Sequence, residues 1–458
     1  MSMFKWDVVE PAPGEPVAPS QRLPVVKTIG VGAQHVVAMF GATFVFPIVM
    51  GLDPNLAIMF SGICTIMFLL ITSNRVPSYL GTSASFVGGV AAIRADGGDS
   101  ADVTGAIMVA GLVLLAVGVL VHFAGSEMIH KVLPPAVTGA VVMLIGFNLA
   151  PVVAAIYWPQ DQWVALLTAT FMVFAAVLLP GFWARIAVLL ALVFGFLLSW
   201  LFDAVFGTIN SVVPALGAEA TDHDRLWAWD TVGEADWVGF PSGTLADGVD
   251  VVHGPSISLT FVLLVLPGVI ALIAENTGHV KAVAEMTGDD LDPYMGRAIG
   301  ADGLATAVAS AFGGSPTTTY AENIGVMGAT KVYSTAAYYV AAAVAILLGL
   351  CPKFGAIVNA TPGGVLGGIT VILYGMIGLV GAKIWVENRV DFGNPVNFVG
   401  LAGGLIAGIG GVTLEVTDDF QLSGIALGTI MVIVYYHVVN RGARGGTETG
   451  AHEVTEAP

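Results

Sequence analysis

The feature that most constrains this chain is a succession of apolar stretches, each about as long as a bilayer is thick, separated by short polar turns. A helix needs about 20 mostly apolar residues to cross the hydrocarbon. Such stretches lie near 29–50, 55–73, 77–93, 104–124, 134–155, 162–180, 183–205, 257–279, 298–313, 317–331, 334–351, 362–381, 396–413 and 421–440. Charged residues are 11% of the 458, against roughly a quarter in a soluble domain, so most of this surface cannot face water. A cytosolic enzyme and a nucleic-acid binder are excluded. The expected fold is an all-α polytopic membrane protein with 14 transmembrane segments.

Basic residues test that count, because Lys and Arg accumulate in cytoplasmic loops. With the N-terminus inside, Lys5, Arg22, Lys27, Arg75, Lys131, Arg185, Lys281, Arg297, Lys331, Lys383, Arg389, Arg441 and Arg444 are all cytoplasmic. Only Arg94, Arg225 and Lys353 fall outside. A split of 13 to 3 among 16 bases supports both the count and cytoplasmic termini, since one missed span inverts every later loop. The net charge of −17 sits mostly in loops and tails: nine acids lie between Asp203 and Asp250 with one base, Arg225. This is an acidic outside loop, 206–256, whose Trp227, Trp229 and Trp237 are expected to fold it onto the extracellular face. Residues 1–27, Pro-rich and polar, and 441–458 are expected to be cytoplasmic tails. Cys64 and Cys351 lie in or beside apolar segments, so neither a disulfide framework nor a metal site is indicated. The absence of a Gly-Lys dipeptide removes the P-loop and with it an ATP-driven pump.

Two segments about 230 residues apart interrupt membrane sequence with Gly, Pro, Ser and Thr: Arg75–Phe86 and Gly313–Gly325. At an offset of 228, Pro134–Ala140 also lies on Pro362–Gly368, sharing Pro, Val and Gly. Seven spans per half is odd, so the halves would enter the bilayer in opposite senses, as a 7+7 inverted repeat. Broken spans at matching places in inverted halves point to a substrate site. Unwound backbone must there be buried in protein or line a cavity.

The eighth span carries Leu266-Pro-Gly-Val-Ile-Ala-Leu-Ile-Ala-Glu275-Asn-Thr-Gly-His279. An intramembrane carboxylate is a functional residue by default. Glu275 and His279, at i and i+4, share a helix face and can pass or share a proton. The competing reading makes Glu275 an end cap beside Lys281. Glu322 follows the second break, where a carboxylate beside free amides suits a planar solute with adjacent N–H and C=O groups. Gln34 and His35 in the first span either line the site or form a packed, hydrogen-bonded pair. The glycines 363, 364, 367 and 368 suit close helix packing.

Glu322-Asn-Ile-Gly-Val-Met-Gly-Ala-Thr-Lys331, Ala274-Glu-Asn-Thr-Gly-His279, Gln34-His35 and Tyr320-Ala-Glu-Asn-Ile-Gly-Val-Met resemble the nucleobase/ascorbate transporter family (nucleobase:cation symporter-2) over residues 28–440. Asp292-Pro-Tyr-Met-Gly-Arg297 and Thr330-Lys-Val-Tyr-Ser334 are most similar to its bacterial uracil and pyrimidine permeases. The resemblance implies a core domain of spans 1–4 and 8–11 (28–133 and 257–352). It also implies a gate domain of spans 5–7 and 12–14 (134–205 and 353–440). It further implies a homodimer in the inner (plasma) membrane and elevator-type import of a nucleobase with a proton as the coupling ion and no other cofactor. Carried over by residue, Glu275 binds the ring and couples to the proton, and Glu322 accepts ring N–H bonds. Ala321 and Glu322 offer backbone groups, His279 serves the proton step, Tyr320, Ala84 and Phe86 are further substrate-binding residues, and Asn323, Gln34 and His35 support the site. Ala84 stands where relatives often carry an aromatic beside the base, with Phe86 two residues on. Uracil is the expected substrate, with thymine or another pyrimidine next. The alternatives are a xanthine or uric acid permease and, beyond the family, an anion transporter of the sulfate/bicarbonate class.

Overall fold

The computed structural model describes residues 5–12, 15–125, 131, 133–213, 216, 219–417 and 420–449; residues 1–4 and 450–458 of the expected tails lie outside these. Among the described residues, eight helices are long and apolar enough to cross a membrane. They include α1 (Val25–Met50), α2 (Pro54–Ile71) and α4 (Ser100–Ala124), with α3 (Val87–Ala95) a shorter helix between them. Next comes α5 (Pro135–Phe147), which runs on through a π turn to Gln160, then the shorter α6 (Gln162–Leu178) and α7 (Ala187–Phe206). The second half holds α8 (Leu259–Thr287), α9 (Met295–Ser310), α10 (Ala321–Thr330), and α11 (Thr335–Gly349) bent by 80° into α12 (Pro352–Asn359). The chain closes with α13 (Gly363–Glu387), α14 (Pro395–Ile409) and α15 (Gly424–Thr449). Each apolar stretch found in the sequence overlaps one of these helices, but eight of the described helices, or nine with the bent pair taken as one, are long and apolar enough to span, against the 14 expected.

Helix starts follow local chemistry. Asp53 accepts from the Leu56 amide at 2.7 Å, Asp161 caps α6, Asn394 caps α14, and Asp99 with Asp102 forms a capping box on α4. Glycine sets the closest crossings. A Cβ on Gly118 of α4 would lie 2.2 Å from the Gly300 nitrogen of α9, and one on Gly146 of α5 would lie 2.1 Å from that of Gly378 of α13. Small residues thus let backbones touch where lipid gives no hydrophobic drive for association. Helix α1 packs on α11 as α8 packs on α4, and α2 packs on α11 as α9 packs on α4.

Both interrupted segments are extended and pair with each other. Strand β1 (Leu80–Thr82) runs antiparallel to β2 (Thr317–Thr319), with Leu80 opposite Thr319, Gly81 opposite Thr318 and Thr82 opposite Thr317. All six residues are buried. This ribbon solves the problem of non-helical backbone at depth, because each strand supplies the other's partners and neighbouring helices supply the rest. Thr65 Oγ1 of α2 accepts from the Leu80 amide, and Thr306 Oγ1 of α9 accepts from the Thr317 amide.

Three sequence expectations change. The eighth helix continues to Thr287, past the expected end at 279, so Glu275 and His279 lie in a helix interior and the end-cap reading of Glu275 fails. The N-terminal segment is not a free tail. Val17 is fully buried and exchanges backbone bonds with Lys331 and Tyr333, and Trp6 Nε1 donates to Thr335 Oγ1 at 2.8 Å. The last helix extends through the start of the expected C-terminal tail to Thr449. The acidic loop does fold onto the molecule, and the three bases placed outside all bind there. Arg225 pairs with Asp161 and Asp203, Arg94 with Asp247, and Lys353 with the Gly233 carbonyl. Trp227, Trp229 and Trp237 remain exposed on it.

Candidate functional site

The β1–β2 ribbon gathers the expected residues. Thr318 Oγ1 donates to Glu275 Oε2 at 3.1 Å, and Thr319 Oγ1 meets His279 Nδ1 at 2.8 Å. The i, i+4 pair on α8 is thereby held against two consecutive residues of one strand. Tyr320 follows, 4% exposed; its hydroxyl donates to the Thr82 carbonyl at 2.8 Å and accepts from Thr43 Oγ1 at 3.2 Å. Its ring covers Gly81, where a Cβ would come within 2.4 Å of Cζ. Tyr320 therefore acts as a bolt across the two breaks, not as an open ligand surface.

Helix α10 begins at Ala321 with no side-chain cap on Tyr320. Its first amides, together with the Glu322 carboxylate, form a mixed donor and acceptor edge. Ala321 and Glu322 are exposed while Tyr320 and Asn323 beside them are buried. Glu275 and His279 are half-buried, Gly278 is exposed, and Glu322 lies close enough to Glu275 for the two charges to interact. The exposed positions of α1 are Val25, Val26, Lys27, Ile29, Gly30, Ala33 and Gln34, and the helix beyond is mostly buried. Glu275 and Glu322 thus meet near the end of the molecule that carries Lys27, Lys281 and Lys331.

The other candidates separate into support and periphery. Asn323 Nδ2 donates to the His35 carbonyl at 3.0 Å and lies 3.1 Å from His35 Nδ1, and the His35 ring rests 4.3 Å from that of Tyr338. His35 is thus the packed, hydrogen-bonded residue of the Gln34-His35 pair, and Gln34 is exposed. Ala84 opens the turn after β1 and is half-buried. Phe86 is 1% exposed, and a Cβ on Gly268 of α8 would lie 3.0 Å from its ring, so its ring is taken up in helix packing.

One site residue escaped the sequence reading. Asp302 of α9 is fully buried behind the ribbon. It accepts from Asn276 Nδ2 at 2.7 Å and from Thr317 Oγ1 at 3.2 Å. Asn276 in turn accepts from Thr319, the partner of His279, at 3.4 Å. Glu275 and Glu322 are therefore not the only carboxylates within the apolar segments. The rule that flagged Glu275 applies equally to Ala301-Asp302-Gly303 and would have found it.

What this arrangement offers is an edge of two carboxylates, an imidazole and the first turn of α10, which has no side-chain cap from Tyr320. It rests on a ribbon whose hydroxyls are all engaged. A sequence model of the permease family matches residues 26–417. The chain is 42% identical over 432 residues to a putative pyrimidine permease, RutG, of Escherichia coli (strain K12), covering 93% of this chain and 92% of that protein. It is 34% identical over 433 residues to a uracil permease of Bacillus caldolyticus, covering 92% and 94%. Among solved structures, the murine anion transporter Slc26a9 aligns with a TM-score of 0.61 at 12% identity, over 92% of this chain and 69% of that one. The transmembrane domain of a cyanobacterial bicarbonate transporter, BicA, aligns with a TM-score of 0.54 at 15% identity, over 90% and 96%. These two likenesses show a transporter-like fold and nothing of the substrate. By the match of the family model over residues 26–417 and of these relatives over most of its length, the chain is a multi-pass membrane protein belonging to the xanthine/uracil permease group, the nucleobase/ascorbate permeases, which are transporters and not enzymes.

Proposed function

We propose that this protein imports a nucleobase, uracil or another pyrimidine, together with a proton across the inner membrane. The observation that carries the reading is the pair of carboxylates, Glu275 and Glu322, converging at the paired breaks beside the start of α10. Glu322 accepts ring N–H groups and the α10 amides donate to ring carbonyls. An anion would meet two like charges there, which disfavours a sulfate or bicarbonate cargo. The names of the relatives favour a pyrimidine over xanthine or uric acid.

Protonation of Glu275 removes one of the two charges and lets a neutral base dock; its release to the cytoplasm completes the cycle. His279, held by Thr319, is placed to relay that proton. Helix packing supports a 7+7 inverted duplication with core and gate, because α1 on α11 and α2 on α11 become α8 on α4 and α9 on α4 under a seven-span shift. We read transport as an elevator motion of the core against a dimeric gate, with the Lys27 end of the site facing the cytoplasm.

The test is radiolabelled uracil uptake in proteoliposomes with unlabelled thymine, xanthine and uric acid as competitors. Uptake should follow an imposed proton gradient and collapse with an uncoupler. Glu275→Gln should bind uracil yet fail to accumulate it against a gradient; gradient-driven accumulation by that variant refutes the coupling role.

A further inference from the structure

We infer that the outer acidic loop is a length-limited strap between the two bodies that transport must displace. The inference rests on the core-and-gate reading. Its first part is fixed to gate helices. Arg225, its side chain 10% exposed, bonds Asp161 at the start of α6 at 2.6 Å and Asp203 of α7 at 3.0 Å, and lies 5.5 Å from the Phe202 ring. Trp229 meets Phe196 of α7 edge-on at 5.9 Å.

Its second part is fixed to core helices and to α12, which the sequence bounds number with the gate but which packs on the core: the Phe354 ring meets that of Phe44 of α1 at 5.1 Å, and a Cβ on Gly355 would lie 2.4 Å from the Asn55 side chain of α2. Lys353 gives its Nζ to the Gly233 carbonyl at 3.3 Å and its amide to the Asp236 carbonyl at 2.8 Å, and sits 5.3 Å from the Trp237 ring. Gly239 donates to the Leu350 carbonyl at 3.0 Å. Asp247 Oδ2 accepts from the Ser100 amide and hydroxyl at 2.7 and 2.6 Å and pairs with Arg94. These anchors are one-sided: Arg225 and Trp229 hold the gate, and Gly233 onward holds the core.

Between Trp229 and Gly233 lie four peptide steps, wound into the short helix Asp230–Glu234. Helical, four steps span about 6 Å; fully drawn out they span about 14 Å. Unwinding this one turn thus supplies about 8 Å of travel on the outer side before an anchor must break. The strap stores slack in the cheapest form available, an isolated single turn that tertiary contacts alone hold wound.

The test shortens the slack without touching either anchor or the site. Deleting Thr231 and Val232 should lower uracil turnover in proteoliposomes several-fold while leaving uracil affinity, read as ligand-induced thermal stabilisation, unchanged. Inserting Gly-Ser in their place should restore the rate, because length and not sequence matters. Wild-type turnover in a deletion variant that binds uracil normally, or no restoration by Gly-Ser, overturns the strap. Should the deletion fail to fold, hydrogen exchange at amides 230–234 of the wild type decides: it should rise during uracil counterflow, and unchanged exchange overturns the inference. Absence of uracil uptake by the wild type overturns the carrier reading itself, a result distinct from either.

Discussion

Replacing Asp302 by Ala removes the acceptor for two buried donors at once. Asn276 Nδ2, 2.7 Å away, keeps its bond to the Leu272 carbonyl at 2.9 Å but loses the partner of its other N–H, whereas Thr317 Oγ1, 3.2 Å away, can turn to Thr306 Oγ1 at 3.1 Å. Leaving a buried donor unpaired costs about 1–3 kcal/mol, so the loss centres on Asn276 and is of that size. Interhelical hydrogen bonds measured in membranes average about 0.6 kcal/mol, which places the outcome toward the lower end of that range. Asp302→Asn keeps one acceptor oxygen and should lose about half as much. The damage should also reach the site, because Thr317 sets the register of Thr318 and Thr319, which hold Glu275 and His279. We expect purified Asp302→Ala to unfold at lower temperature than Asp302→Asn, and Asn lower than wild type. Uracil binding should weaken in the same order when followed by thermal shift against ligand concentration. If Ala and wild type melt together and bind alike, Asp302 does not brace the ribbon and the reasoning fails.

Three further outcomes follow from named contacts. Glu322→Ala should lose at least about tenfold in uracil affinity in equilibrium binding, the equivalent of about 1.4 kcal/mol, with little change in melting temperature, since Glu322 is exposed. Gly81→Ala should destabilise the protein by about 1–3 kcal/mol, visible as a lowered melting temperature, because its Cβ would meet the Tyr320 ring at 2.4 Å; a neutral result would mean the ring has somewhere to go. Burial alone would raise the Asp247 carboxyl, yet bonds from Ser100 and Arg94 and the Arg94 charge hold it down to about 2. A free carboxyl titrates near 4, so this anchor's contribution is full above about pH 4 and disappears as pH falls toward 2. Proteolytic nicking of loop residues 233–256 should increase over that window, and Asp247→Asn should show it already at neutral pH.

Much of the architecture was legible because hydropathy and charge act over long windows. Apolar stretches located the helices, and the Gly/Pro/Ser/Thr interruptions located both ribbon strands. Glu275 and His279 were legible because a carboxylate in an apolar run is conspicuous. Asp302 was legible by the same rule, since it too is a carboxylate in an apolar run; what the sequence does not show is its bonding to Asn276 and Thr317 behind the ribbon. The extension of α8 through Lys281 and Glu285 was invisible because a helix outlasts the hydrocarbon that hydropathy detects. The docking of Val17 and its neighbours depends largely on backbone bonds to Lys331 and Tyr333, which no side-chain pattern records. That Phe86 turns inward to Gly268 is a packing outcome that its position beside Ala84 could not announce.

The pairing of β1 with β2 also bears on how the protein is made. Strand β1 is synthesised more than two hundred residues before its partner. At roughly 10 residues per second, the first break waits on the order of 20 s with its ladder unfilled. Unpaired backbone cannot be left against lipid for that time. During biogenesis the first half must therefore keep Leu80–Thr82 wet, in a translocation channel or at the membrane surface, until the second half arrives. Insertion of this protein completes only when its two ends have both been delivered, and a truncated first half should be a substrate for quality control and not a smaller carrier.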